Sequence, residues 1–491
     1  MSFSRKVSIK TYSDDYDPQP QINESITQTP GGEFIIQHKF RYVILLLGLA
    51  CLTSISSNLN ALNFTFICMR KPVNENYIPN LQSNVTVIPP KIKFMYTTNE
   101  KSALLWTSAI GSMIATFPFS YLYTRFGARY VFFVAGMIST FATIFVPLAA
   151  NSGLPYFLVL RFILGITYAA DFAAIGVLCS RWASLKQNAI FLSFLTCFTP
   201  ISSAITNPIS GVLCESRFGW PAVYYVHAAA SFVLFLLWLY FYTDHPGRHR
   251  NVSLVEREKI HRDKSEAHIN GDKYVPYWEI IKNPVILSVW LNAFVDLVSA
   301  LFMLTYVPIY INSVLRYDVS KTGWLAALPG LSHIPPKLLC GQLSDRIKGN
   351  ERVKMIIFNS IALIIPGAIF IGVGYVSDET PIVAVLLFML LNAVIGANCG
   401  GFYKCGTLVS RQFSAFVIAN TQFIKCISLF TGPILVSIFV HDESNKKEWM
   451  IIFYIFGICS FLANAVFCFM ATDKPASFTL LTKRDKRSSE S

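Results

Sequence analysis

The sequence predicts an all-α membrane protein of twelve transmembrane helices arranged as two pseudo-symmetric six-helix bundles. Three observations lead there. Of 491 residues, 53% are hydrophobic and only 14% charged, with a mean hydropathy of +0.47, far from the balance of a soluble domain. Twelve apolar windows bounded by charge follow one another along the chain. A short polar segment, S-Y-L-Y-T-R-F-G-A-R from Ser120 to Arg129, has a counterpart in G-Q-L-S-D-R from Gly341 to Arg346, 221 residues later (341 − 120).

The first six windows run Tyr42 to Met69, Ser102 to Thr124, Tyr130 to Ala149, Leu154 to Ser180, Gln187 to Cys214 and Phe218 to Thr243. The second six run Asn283 to Leu315, Thr322 to Leu343, Met355 to Ser377, Thr380 to Leu408, Phe413 to Val440 and Trp449 to Thr472. Each is long enough to cross a bilayer, which takes about 20 residues at 1.5 Å rise. The chain therefore divides into a polar tail (1–38), an N-terminal bundle (39–243) with a long loop at 70–101, a linker (244–282), a C-terminal bundle (283–472) and a basic tail (473–491).

Residues 1–38 are too polar to bury a core and hold no apolar segment, so the first window is expected to act as its own insertion signal. The net charge of +13 is no nucleic-acid footprint. Its Lys and Arg residues gather in alternate loops, as at Arg125, Arg129, Arg181, Arg346 and Arg352. The positive-inside rule then sets both termini in the cytoplasm. On that topology Asn84, in Asn84-Val85-Thr86, is the expected glycosylation acceptor of the first lumenal loop. The eleven cysteines lie mostly within apolar windows and read as small core residues rather than a disulfide framework. Cys68 and Cys214 fall near predicted lumenal ends, where pairing is open.

Charges inside the windows are the candidate functional residues, because a bare ion in hydrocarbon costs several kcal/mol. Asp296 stands in the middle of an otherwise uncharged run from Asn283 to Leu315. The fourth window holds Arg161 and Asp171, about 15 Å apart along a helix and unable to pair with each other. Lys425 lies fourteen residues beyond Arg411 and matches Asp171 and Asp296 in depth, so it is expected to neutralise one acid and leave the other protonated or facing water. Ser56, Asn58, Asn60 and Asn63 form a polar stripe on the first helix, read either as interhelical glue or as solute contacts. His333, Pro335, Pro336 and Lys337 predict a kinked eighth helix, with Lys337 reaching toward the inner interface. No nucleophile triad, metal cluster or phosphate loop suggests an enzyme.

The repeated segments resemble the signature loop of the major facilitator superfamily, G-x-L-x-D-R-x-G-x-R. Arg125, Gly127, Arg129, Gly341, Asp345 and Arg346 occupy its gating positions, while Thr124 replaces the acid of the first copy and Ser120 its glycine. Further pieces resemble the anion:cation symporters of that superfamily, the group of sialin, the vesicular glutamate transporters and the type I sodium-phosphate cotransporters. They are Asn58-Leu59, Arg161 with Gly165, Ser180 to Ala183, Ser210 to Leu213, Gly219 to Val226, His245 to Glu256, Val275 to Trp278, Val307 to Tyr310 and Leu325 to Pro329. The resemblance covers about residues 40–475 and implies a secondary transporter moving a small organic or inorganic anion with H⁺ or Na⁺ by alternating access. It implies no other cofactor, and a plasma-membrane, vesicular or lysosomal location.

On that reading Arg161, Asn58, Asn60 and Tyr168 bind the solute, and Asp296, Asp171 and Lys425 handle the coupling ion. The departures are equally informative. Ser56 and Asp296 stand where relatives carry arginines, and Tyr168 and Leu408 where they carry acids. Positive potential is reduced and an acid added, so a dicarboxylate such as glutamate is not expected, and a cationic or zwitterionic solute held by Asp296 is the alternative. A non-transporting solute sensor is a further one, suggested by the degenerate first loop.

Overall fold

The computed structural model describes residues 39–69, 96–184, 188–246, 249, 251–261, 276–377 and 379–480. The tail 1–38, Asn84 and the last eleven residues lie outside the described residues, as do the side chains of Thr124, Gly341 and Asp345.

Among the described residues eleven helices are long and apolar enough to cross a membrane. A further helix, Val319–Arg346, has the length at 28 residues. Three prolines together with Lys321, His333 and Lys337 dilute its apolar character. It takes the place of the eighth predicted span. Three spans expected to be continuous are broken. The fourth is split into Leu154–Tyr168 and Ala170–Trp182, the fifth into Asn188–Leu195 and Phe198–Glu215, and the tenth into Pro381–Ile395 and Phe402–Ser410 around a 3-10 turn at Gly396–Gly400.

Polar clusters repeat between the halves. In the first, the Asn58 amide donates to Ser139 Oγ of the third span (3.0 Å) and Ser231 Oγ of the sixth (3.2 Å). In the second, the Asn359 amide of the ninth span donates to Asn292 Oδ1 of the seventh (3.0 Å) and Asn464 Oδ1 of the twelfth (2.9 Å). The same three spans of each half are tied by amides that water cannot reach, as bilayer helices require.

The segment after the sixth span is more than a tether. The Asp244 carboxylate accepts from the backbone N–H of Ala128 (2.6 Å) and Arg129 (3.2 Å), satisfying orphan donors at the start of the third span. Gly127 permits this, with φ +78° and no side chain: a Cβ there would approach Asp244 Oδ2 to 2.4 Å. Glu256, fully buried, does the same for the first span, accepting from Phe40 N (3.1 Å) and Arg41 N (2.9 Å). His249 stacks on Phe40 with ring centroids 4.5 Å apart. The short helix Tyr277–Lys282 buries Ile280 and exposes Tyr277 and Trp278, the amphipathic pattern of a surface helix.

Cys68 and Cys214 form a disulfide, with Cα atoms 5.9 Å apart, so these two depart from the core-residue reading. The first and fifth spans pack side by side, which brings their ends together in a way that sequence spacing does not reveal.

The halves meet mainly along two antiparallel pairs, the second span (Thr98–Phe126) with the eleventh (Ser414–Phe439) and the fifth with the eighth. In the first pair, contacts run from Ser437 Oγ with Asn99 Oδ1 (2.9 Å) through Ser102 Oγ with Pro433 O (3.4 Å) to the rings of Phe117 and Phe423. In the second, they run from Ser320 N with Glu215 Oε1 (3.0 Å) to Asn207 Nδ2 with Ala326 O (3.2 Å), and Gly330 lies against Pro200 O. Both pairs are zipped from the face bearing the disulfide to about mid-span. A link between Lys101 Nζ and Glu443 Oε1 at 2.5 Å closes that face further.

Candidate solute-binding site

Where the zippers end, a cavity of about 920 Å³ begins and opens toward the face of Arg346 and Lys404. The broken helices supply its inner end. In the tenth span, Gly396 sits so close to the eighth that a Cβ would lie 2.8 Å from the backbone N of Lys337. This contact sets the 3-10 turn against the Pro335-Pro336 stretch of the eighth span, a single unbroken helix where the prolines predicted a kink, and aims Asn398 at the seventh span. The Asn398 amide donates to Asp296 Oδ2 at 3.0 Å. Asp296 Oδ1 is buried and has no hydrogen-bond partner among the described residues, while the side chain lines the cavity. A carboxylate oxygen held in this way invites a proton, a cation or a donor from a ligand.

Asp171 has a different fate. It begins the second piece of the fourth span and accepts from Phe172 N (2.5 Å) and the Gln422 amide (3.2 Å) through Oδ1, while Oδ2 pairs with Lys425 Nζ at 2.9 Å. The Lys425 ammonium also lies 4.3, 4.7 and 5.2 Å from the ring centroids of Tyr168, Phe172 and Phe198, a cation–π enclosure. Lys425 is thus the partner of Asp171, and Asp296 is the acid left beside the open space.

Arg161 is fully enclosed. Its guanidinium donates to Leu59 O (2.8 Å), Leu104 O (3.2 Å) and Ser108 Oγ (3.3 Å). With Asn60, Asn63 and Tyr168 it borders a separate pocket of about 30 Å³ on the zipped side, room for about one water. The polar stripe of the first helix is therefore divided. Asn58 is fully buried with its amide spent on Ser139 and Ser231, and Asn60 bonds Ser56 and Ser202 at the edge of the small pocket.

Residues passed over as minor in the sequence prove central to the cavity. Lys337 does not extend to the inner interface: its Nζ lies 3.5 Å from Thr196 O, across the gap between halves. His333 meets Asn392 O through Nδ1 (2.9 Å) and is thereby satisfied. Asn398 and Cys399 line the cavity, and their signal was the glycine pair Gly400-Gly401, which breaks a helix here. Among the gating positions, Arg346 stands exposed at the cavity mouth. Arg129 donates to Leu239 O (3.0 Å), and Arg125 to the Tyr121 hydroxyl (2.9 Å).

Two helical halves, closed together at one end and parted at the other around buried charge, define a multi-pass membrane transporter for small solutes. The chain belongs to the Major Facilitator Superfamily, whose family model matches residues 46–433. It is similar to human sialin, 22% identical over 393 residues that cover 79% of this chain and 78% of sialin. It is also similar to the human sodium-dependent phosphate transport protein 1, 24% identical and covering 80% of this chain and 84% of the relative. The probable small intestine urate exporter of human is 25% identical, covering 68% of each chain. Among solved structures, the fold is shared with a bacterial homologue of the human lysosomal transporter Spinster in an inward-facing unoccupied conformation. That match has a TM-score of 0.65 and 14% identity, covering 88% of this chain and 99% of that one. A D-xylose-proton symporter matches with a TM-score of 0.61 and 17% identity, covering 88% and 98%.

Proposed function

We propose that the protein moves a small organic or inorganic anion together with H⁺ or Na⁺ by alternating access, with the basic-loop face and both termini in the cytoplasm. The cavity is then open inward and the disulfide face is the closed outer gate. The observation that carries this reading is Asp296: a carboxylate with one oxygen unsatisfied, at the blind end of a one-sided cavity. It takes the coupling proton or sodium ion when the cavity is hydrated and gives it up when the opposite face opens. Asp171 and Lys425 hold each other neutral and keep a second acid from competing. Arg161, behind them, holds the anionic group once the halves part on the other face. Phosphate and urate, after which two of these relatives are named, are the first solutes to test.

The test is uptake into sealed vesicles under imposed pH and sodium gradients. Accumulation driven by one of the gradients in the wild type and lost in Asp296→Asn supports the reading. Unaltered coupling in that variant refutes the role of Asp296. A second reading rests on the same free oxygen, which also suits a solute ammonium group. There Asp296→Asn abolishes solute binding while gradient coupling through other groups persists.

A further inference from the structure

Four cations line the cavity: Lys337, Arg346, Lys404 and Lys425. Two are committed to acids, Lys425 to Asp171 at 2.9 Å and Lys404 to Glu351 at 3.2 Å. Arg346 is exposed at the mouth, where water screens its charge. Lys337 is different. It is half-buried, about 13 Å deeper than Arg346 along the eighth span (nine residues), and makes no salt bridge among the described residues; its hydrogen bond is to the Thr196 carbonyl at 3.5 Å, and Asp296 is the acid near enough to feel its charge. An ammonium at that depth, held loosely by one long contact, retains most of its capacity to donate.

Its position follows from the local fold. Pro335 and Pro336 remove two backbone donors from the eighth helix, which runs unbroken from Val319 to Arg346, Gly396 lets the broken tenth span close against it, and Lys337 Nζ reaches toward Thr196 of the N-terminal half. Asp296, with its free oxygen, lines the same space from the seventh span. Arg161 does not line this space: it borders the small pocket next to it, which shares Leu301 and Leu304 with the cavity wall and has room for about one water.

We propose that Lys337 is the cation that receives the solute's anionic group from the basic-loop face, and that Arg161 serves only the state open to the other face. This rests on the anion-transport reading. The path has two stations on either side of the Lys425–Asp171 pair. A solute arriving at Lys337 touches the N-terminal half through the Thr196 region and the C-terminal half through Lys337 itself, so its binding draws the open ends of the halves together.

The test uses the full chain and a thiol already in the cavity. Cys399 lines the same space, and its alkylation by N-ethylmaleimide, followed by mass spectrometry, reports occupancy. Protection is titrated with inorganic phosphate, urate and glucuronate, and uptake of the same three is measured in vesicles. In Lys337→Gln the protecting concentration rises about tenfold or more, the effect of losing one charge-assisted bond, while Lys337→Arg stays within about threefold of wild type. Equal protection of wild type and Lys337→Gln overturns the inference and leaves the transport reading standing. An equal loss in Lys337→Arg and Lys337→Gln also overturns it, because the charge would not be what matters. A wild-type chain that transports none of the three overturns the reading and this inference together.

Discussion

Lys425 Nζ lies 2.9 Å from Asp171 Oδ2, both side chains almost wholly buried, and the bond joins the eleventh span to the fourth across the two halves. The pair lies beside the boundary between the two spaces: Lys425 and Phe172 face the large cavity, Tyr168 faces the small pocket of Arg161, and Leu301 and Leu304 line both.

Breaking this pair one-sidedly leaves an uncompensated ion in a dry interior. Asp171→Asn is expected to destabilise the protein by about 3–5 kcal/mol, and the double variant Asp171→Asn with Lys425→Met to recover most of that loss. Thermal unfolding in detergent checks it. A single variant as stable as wild type contradicts the pairing.

Asp296 predicts the opposite behaviour. Its Oδ1 satisfies no donor among the described residues, so Asp296→Asn keeps the side-chain volume, removes a desolvated charge and leaves the unfolding temperature unchanged or higher. Solute exchange at equal pH on both sides persists, while gradient-driven accumulation fails. Loss of stability in this variant would show that the carboxylate is structural.

The closed face depends on the Lys101–Glu443 link, whose side chains are only 9% and 11% exposed. Lys101→Ala removes one partner of a bridge that joins the two halves at the closed face, at a cost of about 1 kcal/mol or more to this state. The conformational balance then moves away from the present state by about fivefold. Alkylation of Cys399 from the open side slows accordingly. An unchanged rate means the link does not bias the gate.

Cys68 and Cys214 close a loop 146 residues apart in sequence. Removing that cross-link by Cys214→Ser is expected to cost about 2–4 kcal/mol, read as a lower unfolding temperature that dithiothreitol reproduces in the wild type and does not lower further in the variant.

That the chain is a bundle of membrane helices was legible in the sequence, because apolar windows of spanning length admit few other folds in lipid. The sequence also placed three ionisable residues at one depth, since helical rise converts position to height. It did not determine which acid Lys425 would meet, nor that Arg161 and Lys337 would stand on opposite sides of that pair. Those relations depend on rotation about helix axes and on where the fourth, fifth and tenth spans break. Both are set by packing between segments far apart in the chain: Gly396 against Lys337, Asp244 against the start of the third span, Glu256 against the start of the first. Asp171 and Asp296 look alike in a list of residues. The folded chain pairs one with a lysine that three aromatic rings surround, and leaves the other beside the cavity with a buried oxygen that meets no donor among the described residues.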